Sequence, residues 1–255
     1  MSQKPSVVKS AARTLDILEC IVKNPKAPTF TMLQELMDIP KSSLSYLLQE
    51  LMNRDYIQFD SDLRVYYPGI NLVQMSAHCI NNTNLSREIW LGIKKLSEDL
   101  GETTHAGVLD GRFITYISKC QGTKDISVVT TIGFRLPAHA TAIGKMLLSS
   151  LSADDVESRH KNISLERYTE NTIVSYEQLV EELKQTADKG YAIDSQEIIP
   201  GGICIAAPVY DKNNKMIVAI SVTMLAIRTN EQFLQEVISK VKQTADNISM
   251  SIGRK

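Results

Sequence analysis

The chain has 255 residues, 43% hydrophobic and 22% charged, with a formal net charge of −1. This length holds one large domain or a small and a medium one, and the balance excludes a polycation that coats nucleic acid indiscriminately. The longest apolar runs, such as residues 203–209, fall far short of the roughly 20 residues of a membrane helix, and the N-terminal stretch has no apolar signal region, so a cytoplasmic chain without membrane contact is expected.

Residues 10–70 are dense in short helical patterns and contain no glycine before Gly69. The first pattern places Ala12, Leu15, Leu18, Ile21 and Val22 on one stripe, with Ser10 as its cap and Asn24-Pro25 as its end. A second, shorter helix has Leu33, Leu36 and Met37 inward and is broken at Asp38-Ile39-Pro40. The third, "KSSLSYLLQELMNR", repeats leucine at 44, 47, 48 and 51. Its other side carries Lys41, Ser42, Ser43, Ser45, Tyr46 and Gln49. Two β-prone runs, Tyr56 to Phe59 and Val65 to Tyr67, flank a polar turn.

Helix, helix, tight turn, helix and hairpin is the order of a winged helix-turn-helix, whose third helix lies in the major groove. A small bundle with a solvated polar face would show the same pattern. Residues 1–70 carry eight basic and eight acidic residues, so DNA binding would rest on placement: Lys4, Lys9 and Arg13 near the start, Lys41 on the groove helix, Arg64 in the wing. Residues 71–83 read as a linker helix.

Beyond Asn84 an amphipathic helix has Ile89, Ile93, Leu96 and Leu100 as its stripe and Gly101 as its stop. Strands are expected over residues 104–109, 113–119 and 127–131, with Asp110-Gly111 as a hairpin signal. Then come a helix within "LPAHATAIGKMLLSSL" (residues 136–151) and another from about Tyr176, stopped at Gly190. After Asp194, taken to open a polar loop, residues 204–225 form a long hairpin around Lys212-Asn213-Asn214. A last helix runs from Asn230 to about Ile252. A mostly antiparallel sheet flanked by helices results, of class α+β.

Chemistry is sparse. There is no G-x-S-x-G and no G-x-G-x-x-G, and Gly144-Lys145 lacks the remaining residues of a phosphate loop. His139, Asp194 and Cys204 are the residue types of a nucleophilic set, but they lie scattered, so no catalytic residue is assigned. His78, Cys79, Cys120, His139 and Cys204 could meet at a metal only through tertiary folding. Neither metal nor cofactor is expected. Pro200-Gly201-Gly202 with the small residues Ala206, Ala207 and Ser221 leaves room for a small-molecule pocket or, equally, for a hairpin packed for stability alone.

Three segments in order, "IPKSSLSYLLQEL", "LPAHATAIGKMLLSSL" and "GYAIDSQEIIPGGICIAAPVYD", resemble the IclR family of bacterial transcriptional regulators. The resemblance implies a winged helix-turn-helix over residues 1–70, a linker helix over 71–83 and a GAF-like effector-binding domain over 84–255. Implied partners are double-stranded operator DNA, a small-molecule effector and the chain itself, as homodimer or homotetramer. Lys41, Ser42, Ser43, Ser45, Tyr46 and Gln49 would face the groove, with Arg64 on the DNA backbone. Tyr46 replaces an arginine common at its position, which removes one base contact. Effector positions carry over to Val128, Leu136, Ala142, Asp194, Gly202 and Cys204, with Ser221 added from the paired strand. The expected function is regulation, more often repression, controlled by an organic or aromatic acid. The rival is a metabolite-binding protein or enzyme whose helical N-terminal domain only dimerises.

Overall fold

In a computed structural model, which describes residues 8–24, 26–81, 84–124 and 130–254 (backbone alone for 77–81), the chain folds as two units, Met1–Asn82 and Thr83–Lys255. In the first, α1 (Lys9–Lys23), α2 (Phe30–Met37) and α3 (Lys41–Asn53) precede an antiparallel hairpin of β1 (Ile57–Asp60) and β2 (Val65–Pro68), and α4 (Ile70–Asn81) follows. The Thr29 hydroxyl caps α2 by accepting from the Met32 N–H, and the left-handed Asp38 ends the helix (φ 48°), so the chain turns at Ile39-Pro40 straight into α3. Ile17, Ile21, Leu33, Ile39, Leu44, Leu48, Leu51 and Ile57 make the core.

Two expected stripes were placed wrongly. On α1, Leu15 and Val22 are exposed and Ile17, outside the expected stripe, is fully buried; on α2, Leu36 is 59% exposed and Leu33 alone is buried. Ala12, Leu15, Ile17, Leu18, Ile21 and Val22 cover more than half of the helix circumference, so periodicity cannot choose among them; packing chose the Ile17–Ile21 pair. Nor does Ser10 cap α1. It sits in the first turn, and its carbonyl accepts from the Thr14 hydroxyl.

The second unit is a six-stranded antiparallel sheet in the order β5-β4-β3-β8-β7-β6. Its strands are β3 (Thr103–Asp110), β4 (Phe113–Cys120), β5 (Arg135–Pro137), β6 (Ala192–Ser195), β7 (Gly202–Tyr210) and β8 (Met216–Leu225). One face packs on α5 (Asn84–Leu100) and α9 (Glu231–Ser251) through Ile205, Ala207, Val209, Ile220, Val222 and the α5 stripe. The other packs on α6 (Ala142–Leu148) and α8 (Tyr176–Lys189) through Ala206, Ala219, Ile143, Met146 and Leu179. Alternation along β7 and β8 sorts residues between the layers, which is why Ala206 and Ala207 end on opposite faces.

α7 (Ala153–His160), β5 and β6 were not expected, and Asp194 lies inside β6 rather than in a loop. Of the strand expected over 127–131, Thr130 and Thr131 are not in a strand; the remainder lies outside the described residues. Gly144 is a packing requirement: a Cβ there would sit 2.2 Å from the Ala138 carbonyl oxygen, so α6 can lie on the short helical turn 138–140 only with glycine.

Candidate functional site

The first unit offers one polar helix face. Along α3, Leu44, Leu48 and Leu51 are buried, which turns Lys41, Ser42, Ser45, Tyr46 and Gln49 outward; Ser43 is half-buried. Tyr46 is 79% exposed. Gln49 Nε2 donates to Asn53 Oδ1 at 2.9 Å. Arg64 is exposed in the β1–β2 turn, with φ +56°. Asp60 Oδ1 fixes that turn by accepting from the N–H groups of Asp62 and Leu63, both at 2.9 Å. Among the described residues neither Lys41 nor Arg64 enters an ion pair, so both charges remain available to an anion.

The second unit encloses a cavity between the sheet and the start of α6. Every strand supplies a wall residue: Leu136 from β5, Tyr116 from β4, His105 from β3, Ser221 and Thr223 from β8, Gly202 and Cys204 from β7, and Asp194 from β6. Thr141, Ala142 and Ile143 close it from the helix side; Ile198 and Ile199 close it from the β6–β7 loop. The cavity leaves about 40 Å³ for the centre of a water molecule, enough for a compact guest. Strand register explains the convergence. Asp194 pairs with Cys204, Cys204 with Thr223, and Ser221 with His105, so these side chains share one face of the sheet.

Burial disfavours the charged forms of the titratable wall groups. Burial pushes the Asp194 carboxyl up to about 7; Glu197 adds to the shift, while Lys145 and the N–H groups of Glu197 and Ile198 oppose it. Burial, with Lys119 acting in the same direction, holds the His105 imidazole down to about 3. Burial and the nearby Asp194 raise both the Cys204 thiol and the Tyr116 phenol. Among the described residues no cationic side chain lines the cavity.

Behind Asp194 stands a buried ion network. Asp194 Oδ1 accepts from the Glu197 N–H at 2.7 Å. Lys145, 1% exposed, donates to Glu197 Oε1 at 2.6 Å and to Glu182 Oε1 at 2.9 Å. Thr172 Oγ1 donates to the Glu197 carbonyl at 2.6 Å and Thr169 Oγ1 to that of Gln196 at 2.7 Å, which clamps the loop carrying Ile198 and Ile199.

Thus Leu136, Ala142, Asp194, Gly202, Cys204 and Ser221 are brought to one cavity, while Val128 lies outside the described residues. His139 is elsewhere: it is buried with Nε2 3.1 Å from the Glu166 carbonyl, so His139, Asp194 and Cys204 form no joint set. Sequence reasoning missed His105, Tyr116, Thr130, Thr141 and Thr223, and it took Lys145 only as a failed phosphate-loop lysine. Polar residues alternating inside apolar strand runs, as at His105, Ser221 and Thr223, were the available signal. Among the described residues no cluster of His, Cys, Asp or Glu is placed to hold a metal, and no helix is long and apolar enough to cross a membrane.

A helix-turn-helix with a two-stranded wing, carried on one chain with a separate α+β unit built around a small cavity, is the build of a DNA-binding regulator. The family model "Bacterial transcriptional regulator IclR C-terminal" matches residues 77–250, and "IclR helix-turn-helix domain" matches residues 10–61. The HTH-type transcriptional regulator XynR of Escherichia coli K12 is 31% identical over 97% of this chain and 98% of its own. The HTH-type transcriptional repressor AllR of the same organism is 27% identical over 79% of this chain and 74% of its own. Among solved structures, an IclR homologue from Microbacterium hydrocarbonoxydans, complexed with 4-hydroxybenzoate, superposes with a TM-score of 0.80 at 18% identity, over 95% of this chain and 98% of that one. The chain belongs to the IclR family, and it is a DNA-binding transcriptional regulator.

Proposed function

We propose that this regulator is an effector-controlled repressor, acting as a homodimer or homotetramer, and that its effector is a small organic acid held in the sheet cavity. The observation that carries the reading is the convergence of one or more wall residues from all six strands on a cavity too polar to be core and too apolar to be a surface groove. The described wall residues, none of them cationic, suit a guest whose charge is met by backbone N–H groups and hydroxyls, and a carboxyl poised near neutrality can accept or donate to a polar group of the guest. The 4-hydroxybenzoate bound by the Microbacterium homologue and the repressor AllR support an acid effector and repression.

On the DNA side, Lys41, Ser42, Ser43, Ser45, Tyr46 and Gln49 face the major groove, and Arg64 meets the backbone. The effector acts by population shift: it binds one arrangement of the oligomer better than the other, and only one of them matches the operator's half-site spacing. Residues 1–70 form the DNA-binding domain, 71–83 the linker and 84–255 the effector domain. The test is a gel-shift titration against the DNA upstream of its own gene, at two salt concentrations, with and without small acids. A salt-sensitive, sequence-selective complex at sub-micromolar protein, weakened by an acid, is the expected result. A protein that ignores this DNA but still binds acids would be a metabolite-binding protein whose helical unit has another role.

A further inference from the structure

His105 is 1% exposed, stands on β3 in the middle of the sheet and lines the cavity. Its ring is fixed on two sides. Nε2 lies 2.7 Å from Thr130 Oγ1, and the imidazole stacks on Tyr116 with centroids 4.5 Å apart. Nδ1 is buried and has no hydrogen-bond partner among the described residues. A buried polar atom without a partner costs about 1–3 kcal/mol and needs an explanation. The core side of the sheet does not supply one: the neighbour Thr104 satisfies its own hydroxyl on the Ile93 carbonyl, whereas His105 Nδ1 is left open in a wall that also carries Ser221, directly across the strand pair.

We propose that His105 Nδ1 reads a hydroxyl group of the effector, so that the cavity selects small hydroxylated organic acids over their deoxy counterparts. The inference rests on the cavity being the effector site. A hydroxyl is the fitting group because it satisfies Nδ1 in either tautomer. If Thr130 donates to Nε2, Nδ1 carries the proton and donates; if Nε2 donates to Thr130, Nδ1 accepts. A bare carbonyl fits only the first arrangement and a methyl neither. The imidazole stays neutral across the physiological range, so this is recognition by hydrogen bonding and not by charge.

Two substitutions separate the ring nitrogens. In His105→Asn the side-chain amide falls near the place of Nδ1; in His105→Gln it falls near the place of Nε2 and keeps the Thr130 partner. Titration calorimetry of the full chain, with lactate against propionate and glycolate against acetate, reads the preference. The wild-type protein should bind each hydroxy acid about tenfold more tightly than its deoxy partner, His105→Asn should retain that preference and His105→Gln should lose it. Preference kept by the Gln variant, or lost equally by both folded variants, overturns the assignment. Where a variant fails to fold, ¹⁵N spectra of the wild-type imidazoles decide: lactate must move the His105 Nδ1 resonance and propionate must not. Equal binding of hydroxy and deoxy acids, abolished by Cys204→Leu, would leave the cavity as the effector site and refute the hydroxyl reading. No binding of any of the four acids, or binding indifferent to Cys204→Leu, would remove the cavity reading itself.

Discussion

Lys145→Met tests the buried network behind the cavity. The ammonium is fully buried against Glu197 at 2.6 Å and Glu182 at 2.9 Å, with Glu197 buried and Glu182 partly solvated. Methionine keeps the length and apolar packing of the lysine and removes the charge. Glu182 can turn to water, but Glu197 cannot, and one of its oxygens, Oε2, already lacks a partner among the described residues. Breaking such a pair typically costs about 3–5 kcal/mol. The cost is capped, because Glu197 can escape by taking up a proton. From its ordinary value of 4.5, protonation costs about 3 kcal/mol at pH 7 and under about 1 kcal/mol at pH 5. The sign follows: burial already raises this carboxyl above 4.5, the substitution raises it further, and so the loss relative to the wild type grows as pH rises above that raised native value and fades below it. Urea denaturation followed by circular dichroism at both pH values, with an unchanged m-value, measures it. A second variant, Lys145→Met with Glu197→Gln, should recover most of the loss at pH 7. A penalty independent of pH, or a double variant as unstable as the single one, would refute the reasoning.

Asp194→Asn should gain about 2–3 kcal/mol relative to the wild type between pH 5 and pH 8, because a carboxyl pushed up to about 7 withdraws stability from the native chain as pH rises through that window; denaturation at the two pH values checks it. Gly144→Ala forces a methyl group to within 2.2 Å of the Ala138 carbonyl oxygen and should cost about 1–3 kcal/mol or more, seen as a lowered melting temperature; an unchanged one would mean that α6 shifts freely. Lys41→Ala should weaken operator binding alike on matched and mismatched sequences and lower the salt slope by about 1 for each copy in contact, measured by fluorescence anisotropy over a salt series.

The helices and the hairpins were legible in the sequence wherever one face had a unique partner. The α5 stripe Ile89, Ile93, Leu96 and Leu100 is buried as read, and Gly190 closes α8 in the left-handed region. α1 was not, because its apolar residues wrap too far around the axis for period alone to orient it. At the site, Asp194, Cys204 and Ser221 could be named from motif and pairing, since they lie in or beside one hairpin. His105 and Lys145 could not. Each depends on register with a strand or loop more than fifty residues away, and a lone histidine or lysine in an apolar run looks the same whether it meets a guest, a carboxylate or nothing.

The cavity wall is gathered from six strands spread between His105 and Thr223, so no fragment of the sheet possesses it. A guest held there has affinity for the completed unit alone. At a hundredfold excess over its dissociation constant it would add about 2.7 kcal/mol to that unit's stability, and every strand would share the gain. Amide exchange should then slow across the whole sheet and not at one edge. If that guest is the effector proposed above, then in a cell it would also lengthen the life of the polypeptide that binds it, tying the abundance of the regulator to the supply of its ligand.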